Sequence, residues 1–429
     1  MNTRFYNAKV LCLDDDFSII EGELHTNDDK ISYIGGAFSG GFGSPENGQS
    51  KFDEEIDVKG NLIMPGLKNA HTHSAMTFLR SYSDDLPLKE WLFDKIFPME
   101  AKIGYDHVYE FTKLALLEYI ASGTTAVFDM YFHPFASAHA AREYGFRYAV
   151  CGAVSGDDVS ALQNLHTQLN SMDPLVSYQL GFHAEYTTPL HSLKEIAALA
   201  KQKKLPVYTH NSETKREVSD CLERYGKTPT ALFAELGIYD YGGGGFHCVH
   251  LTKGDIEMMK RRDVYAVINP CSNLKLASGI CPVSVYDKIG LKFAIGTDGP
   301  ASNNALSLWR EMFLLSTLQK HLCENAAAMP ATTALMAATK SSALAIGLKN
   351  CDCLAVGKQA DLIIIDLNKP NMQPLNNIVN NLVYSGSDSN VLLTMIAGRK
   401  LYHNGEFFVG ESPEILYEKV NTMIKSIDN

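Results

Sequence analysis

The sequence has 429 residues, enough for one large catalytic domain with a smaller companion. With 45% hydrophobic and 20% charged residues it has an ordinary globular composition. A formal net charge of −11 excludes a sequence-independent nucleic-acid binder, which needs a basic face, but leaves a small nucleoside open because a pocket is decided locally. Nine irregularly spaced cysteines, with no CxxC, read as reduced core residues of a reducing cytoplasm. The opening MNTRFYNAKVLCLDDDF has no signal-peptide pattern, and no apolar run approaches the ~20 residues of a membrane span. A soluble, cytoplasmic protein is expected.

In chain order, short β-rich runs come first, at residues 7–13, 19–24, 30–34 and 54–57, with a Gly/Ser-rich loop over 35–50. Eight β-rich segments follow, at 62–66, 124–130, 148–154, 178–183, 206–210, 245–249, 265–269 and 293–296. Helical patterns separate most of them, among them 109–121, 193–202, 230–236 and 255–261; two more, 306–320 and 330–346, come after the eighth. Repeated strand–helix alternation predicts an α/β fold, a (β/α)8 TIM-type barrel over 63–355. The last runs, 360–365, 391–397, 400–402 and 407–409, with an Asn404-Gly405 turn, join the first ones. They predict a small β-sandwich domain built from both termini, 1–62 and 356–429, the latter ending in a helix.

Barrel enzymes carry their reactive groups at the C-terminal ends of the strands. Those ends read Asn69-Ala70-His71-Thr72-His73, His183-Ala184-Glu185, His210-Asn211-Ser212-Glu213, His247 with His250, and Thr297-Asp298-Gly299. His71 and His73, two apart on an extended segment, present both imidazoles to one face. With His210 and Asp298 they form a donor set for one divalent cation, Zn2+ or Fe2+, with a position left for water. Glu213, three residues past His210, is placed beside that water as a proton shuttle, and His247 to hydrogen-bond or polarise it. His250 is expected in a packing role. The pair His183/Glu185 followed by Pro270-Cys271 looks like the HxE…PCxxC zinc site of cytidine-type deaminases, but Leu274 stands where that site needs cysteine. Residues 176–186 contain no lysine to bridge two metals, which favours a mononuclear site.

The motifs PGLKNAHTH, HNSE, HCVHL, NPCSNLKLASG and GTDGPASNN resemble, in this order, those of the amidohydrolase superfamily. The branch is that of adenosine, guanine and cytosine deaminases and triazine chlorohydrolases. MTFLRSYSDDLPLKEWLFDKIFPMEAK, NLKLASGI and NNIVNNLVYSG are similar to the 5′-methylthioadenosine/S-adenosylhomocysteine deaminases within it. The resemblance implies that His71, His73, His210 and Asp298 hold the metal, usually zinc. It implies that Glu213 protonates purine N1, that His247 assists the water and that Asp298 accepts its proton. Glu100 would take the ribose hydroxyls, His183 would line the ribose or base, and Trp91 would pack over the site. Water acidified by the metal would then replace the 6-amino group, giving the inosine analogue and ammonia. A homo-oligomer acting on a small nucleoside, without nucleic-acid or membrane partners, is expected.

Relatives that take S-adenosylhomocysteine often carry an arginine just after strand three, where the aligned residue here is Gly152. That shifts the expectation toward adenosine, 5′-methylthioadenosine or 5′-deoxyadenosine. Three other readings remain: a free-base deaminase or triazine chlorohydrolase on the same site, a non-catalytic barrel, and a dinuclear amidase.

Overall fold

The computed structural model describes residues 1–14, 17–37, 52–156 and 158–428; most of the loop expected over 35–50 lies outside them. Eight parallel strands form a nearly closed barrel: Leu67–Thr72, Thr124–Met130, Arg147–Cys151, Val176–Gly181, Val207–Asn211, Gly243–His247, Val264–Ile268 and Phe293–Ile295. These are barrel strands one to eight below. They are almost wholly buried because helices cover them outside and side chains fill them inside. Phe128, Ala149, Tyr208, Phe246, Val267 and Ala294, from successive strands, form the inner layer.

Closure between strands eight and one relies on side chains as well as backbone. The Asp298 N–H donates to the His71 carbonyl at 3.0 Å. The Asn69 amide donates to Thr297 Oγ1 at 2.7 Å and accepts the Thr297 N–H at 3.0 Å. Gly296 permits the close approach, since a Cβ there would lie 2.6 Å from the His71 backbone N and O. The seam therefore brings His71 and Asp298 side by side.

Two sequence expectations shift. The segment 62–66 is not the first barrel strand: Leu62–Pro65 pairs with Thr3–Leu11 and Leu362–Ile365 in the terminal sheet, and the chain enters the barrel only after Gly66. The two runs are contiguous and both buried, and the sheet each joins is set by hydrogen-bond partners that periodicity does not record. The helix expected over 330–346 is broken into Ala331–Ala337 and Lys340–Ala345, because the Ala338 carbonyl accepts the Lys68 N–H of strand one instead. Among the described residues the terminal strands form the expected separate domain, a nine-stranded mixed sheet built from both ends of the sequence. Its core includes Phe5, Val10, Leu24, Ile63, Ile364 and Leu393. Asn404 and Gly405 both have positive φ, as a two-residue hairpin turn requires.

Arg147, at the start of strand three, locks the sheet under the barrel. Its Nε and Nη2 donate to the two carboxylate oxygens of Asp361 at 2.7 and 2.9 Å, and Asp361 is buried. Removing one partner of such a buried pair costs about 3–5 kcal/mol, through the charge left alone. The terminal helix Pro413–Asp428 lies against helix Tyr105–Ala121, held by Lys419 on Glu110 and, just before it, Glu411 on Lys113. No helix among the described residues is long and apolar enough to cross a membrane.

Candidate metal and catalytic site

At the C-terminal mouth of the barrel, His71, His73, His210 and His247 surround Asp298, with His183 against His210 at 4.7 Å between ring centroids. Each ring is aimed by a different device. His73 Nδ1–H donates to the Met130 carbonyl at 2.5 Å, and His210 Nδ1–H to the His183 carbonyl at 2.7 Å. His247 Nδ1–H donates to Asn273 Oδ1 at 2.7 Å. In each case the bond fixes the tautomer and leaves the Nε2 lone pair facing inward. His71 has no such partner: its ring stacks on Phe246 at 3.8 Å, and both its nitrogens are buried with no hydrogen bond. A buried imidazole without partners is costly unless something in the site engages it.

Asp298 is held by its far oxygen. Ser272 Oγ and Ser302 Oγ donate to Oδ2 at 2.6 and 2.9 Å, which turns Oδ1 toward His73 Nε2 at 3.2 Å and His71 Nε2 at 3.6 Å. Asp298 has φ of 60° and His247 of 68°, left-handed values uncommon outside glycine. Strain of this kind persists where surrounding bonds hold it. Burial would raise the Asp298 carboxyl, but the hydrogen bond to His73 and the nearby imidazoles hold it well below its ordinary range. Burial likewise opposes charge on His73, yet the bond to Asp298 wins and lifts it to about 9. A proton on His73 and a cation among the rings satisfy the same carboxylate, so the two compete.

The donor chemistry fits a divalent cation. One atom each from His71, His210, His247 and Asp298 lies within 4.8 Å of the other three. That compact set holds three of the four expected ligands, with His247 in place of His73. Distances to the carboxylate divide the two rings: His73 lies 3.2 Å from Oδ1, the oxygen left unencumbered by the serines, whereas His247 stands 4.0 Å from Oδ2. His247 also leans toward Glu213, 3.9 Å from Oε1.

Glu213 is buried beside the cluster, its Oε1 accepting from Ser278 Oγ at 3.1 Å, and burial raises its carboxyl above the ordinary value. Glu217 fixes the loop that carries it. From the first turn of helix Lys215–Tyr225 its carboxylate accepts the Ser212 and Glu213 N–H groups at 2.9 and 2.7 Å. Burial and the neighbouring Glu213 push Glu217 up to about 7.

These groups open into a cavity of about 260 Å³. Glu100 lies in its wall, accepting from the Tyr131 hydroxyl at 2.7 Å; burial raises it to about 7 against that bond. His183, bonded through Nδ1 to Thr187 Oγ1 at 2.9 Å, is lowered by burial to about 4. Trp91 is buried and lines the outer wall with Leu88, Leu92, Phe97, Phe132 and Leu276. His250 turns away, its Nε2 donating to the Ser278 carbonyl at 2.7 Å.

Position 152 cannot carry the arginine considered there: a Cβ on Gly152 would meet Gly181 N at 2.7 Å and the Tyr178 hydroxyl at 2.8 Å. The cavity wall is reached instead by Ala153 and Ser155, one and three residues on. The sequence reading also passed over Ser272, Ser302, Asn273, Ser278 and Glu217. All but Glu217 lie inside motifs already quoted. Thr214-x-x-Glu217 is a capping-box spacing, readable as a helix start but not as a support for Glu213.

The amidohydrolase family model matches residues 62–401. A protein of Caldanaerobacter subterraneus named 5-methylthioadenosine/S-adenosylhomocysteine deaminase is 38% identical, over 97% of each chain. A protein of Methanosarcina acetivorans named 5′-deoxyadenosine deaminase is 35% identical, over 96% of this chain and 95% of its own. Among solved structures, an adenosine deaminase from Xanthomonas campestris with bound zinc superposes with a TM-score of 0.91 at 31% identity, covering 99% of this chain and 98% of that one. A triazine hydrolase variant at 21% identity and TM-score 0.88 shares the fold. The family match, the near-full-length relatives and the histidine–aspartate cluster lead to one conclusion: the chain belongs to the amidohydrolase family.

Proposed function

We propose that the protein is a metal-dependent aminohydrolase that removes the 6-amino group of adenosine or a 5′-modified adenosine, releasing ammonia and the inosine analogue. One observation carries this reading: an Asp298-centred imidazole cluster with an unpartnered His71 opens, beside buried Glu213, into a cavity whose wall holds Glu100. The relatives' names point to the same chemistry.

His71, His73, His210 and Asp298 would hold the cation, zinc by analogy with the Xanthomonas deaminase. When bound, such a cation supplies a water acidified toward a pKa of ~7. The protein's own groups do the rest. Glu213, raised by burial, carries a proton that it delivers to purine N1, which makes C6 electrophilic. Asp298, held ionised, accepts the proton of the attacking water. His247, fixed by Asn273, presents Nε2 to the same water. Glu213, ionised by that transfer, takes the proton of the new C6 hydroxyl and passes it to the amine, which leaves as ammonia as the C6 carbonyl forms. The proton held by Asp298 then restores Glu213 to its acid form. Glu100 takes the ribose hydroxyls, His183 lines the sugar and base, and Trp91 excludes water from above.

The outer cavity selects among 5′ substituents. Its lining residues among the described ones include no lysine or arginine and several large apolar side chains. A methylthio or deoxy group suits that wall; an amino-acid tail would bury its carboxylate without a cation. The test is ammonia release across adenosine, 5′-deoxyadenosine, 5′-methylthioadenosine, S-adenosylhomocysteine, guanine and cytosine, with metal content measured on the same protein. The nucleosides are expected to react, the uncharged 5′ derivatives best. Activity confined to a free base would overturn the nucleoside reading, and two metals per chain would revive a dinuclear amidase. In the same assay Glu213→Gln should lower kcat by about 10²–10⁴, the range for losing a positioned proton donor.

A further inference from the structure

Barrel strand seven sends no side chain of its own to the expected chemistry, yet the short turn that follows it touches three groups of the site. Ser272 donates to Asp298 Oδ2 at 2.6 Å. Asn273 accepts from His247 Nδ1 at 2.7 Å. Ser278 donates to Glu213 Oε1 at 3.1 Å. Three groups on three different strands are thus aligned by seven consecutive residues, 272–278. The turn is pinned from beneath, where the Cys271 N–H donates to buried Glu311 at 2.9 Å.

Lys275, in the middle of this turn, points the other way. Its ammonium pairs with Asp84 Oδ1 at 2.5 Å and also with the Asn304 side-chain oxygen. Asp84 belongs to the segment that runs on into Leu88, Trp91, Leu92 and Phe97 over the cavity. Asn304 follows strand eight, six residues past Asp298, and also grips that segment by donating to Ser81 Oγ at 3.0 Å. The pair is about a quarter to a third exposed, 25% for Lys275 and 31% for Asp84, so as a surface ion pair it is worth little to stability. Its position matters more than its strength.

We propose that Lys275 is a positioning residue that couples the seating of the 81–97 cover to the alignment of Asp298, His247 and Glu213. The cover and the aligning turn share this ammonium, so a cover that is not seated leaves the turn free to shift. Substrate enclosure and catalytic alignment are then formed as one unit. The inference rests on the deaminase reading of the site.

The experiment is a double-mutant cycle on the metal-loaded protein with the best nucleoside of the panel, using Lys275→Met, Asp84→Asn and the pair together. Each single variant is expected to lower kcat by on the order of ten- to a hundredfold, the scale of a misplaced catalytic group, with KM changing less. The double variant should be no worse than the single ones, because both remove the same contact. Lys275→Arg, which keeps the charge, and the swap Asp84→Lys with Lys275→Asp should restore part of the rate. Unchanged kcat in both singles, or additive losses without rescue, overturns the proposal. If Lys275→Met does not fold, Asp84→Asn and the swap still decide it. An inactive wild-type protein would instead refute the deaminase reading, which separates the two failures.

Discussion

The inner and outer ends of the cavity are built on opposite plans. The inner end is polar and over-determined: every imidazole except His71 is fixed by a hydrogen bond, Asp298 by two serines, and Glu213 by Ser278 and the Glu217-held loop. The outer end is apolar and comes largely from one segment, whose residues Leu88, Trp91, Leu92 and Phe97 make contacts rather than directed bonds. Directed bonds leave little room for drift, whereas apolar walls tolerate substitution of similar volume. In the proposed function the chemistry therefore belongs to the inner end, and selectivity among substrates to the outer one.

The sharpest way to break this division is at the ligands. His71→Ala or Asp298→Ala should abolish metal retention and ammonia release together, read by metal analysis and the deaminase assay. Activity that survives metal loss would remove the basis for the inner end's role. Next in size, Ser272→Ala leaves Asp298 in place but removes one of the two hydrogen bonds on its Oδ2, and should weaken metal affinity by about 10–100-fold. Competition with a chelator measures this; unchanged affinity would mean that Ser302 alone suffices.

Glu311 tests the layer beneath. Burial raises its carboxyl to about 8, with the Cys271 N–H and the Asn303 amide bonded to it. A carboxyl raised in the folded state stays protonated while the unfolded chain ionises, so stability is full below its ordinary value of 4.5 and declines as pH rises toward 8. The slope is on the order of 1.4 kcal/mol per pH unit in that window. Thermal melts of Glu311→Gln should show a shallower decline, since Glu100 and Glu217, raised to about 7, keep theirs, and a parallel pH profile in variant and wild type would disprove the assignment. The smallest effect belongs to the outer wall. Leu92→Ala should change the preference between 5′-methylthioadenosine and adenosine by about tenfold in kcat/KM, the scale of one or two methylenes in an apolar pocket, with metal content untouched.

The barrel and most of its helices were legible in the sequence because β-rich runs alternate repeatedly with helical patterns, with turn residues between them. The strand-end polar residues stood out against that background, and His71, His73, His210, Glu213, His247 and Asp298 do meet at one mouth. The first barrel strand was misplaced because two contiguous buried runs serve different sheets, a choice made by hydrogen-bond partners and not by composition. Gly152 looked like a vacant arginine position until the neighbouring strand showed that no side chain fits.

The sequence by itself determined the fold class, the donor types and their order along the chain, because periodicity and strand-end chemistry are local properties. Only the tertiary structure decided how the donors are aimed. Ser272 reaches Asp298 across 26 residues, Ser278 reaches Glu213 across 65 and Lys275 reaches Asp84 across 191. Such pairings depend on which loops the closed barrel brings to one rim, and no local pattern records them.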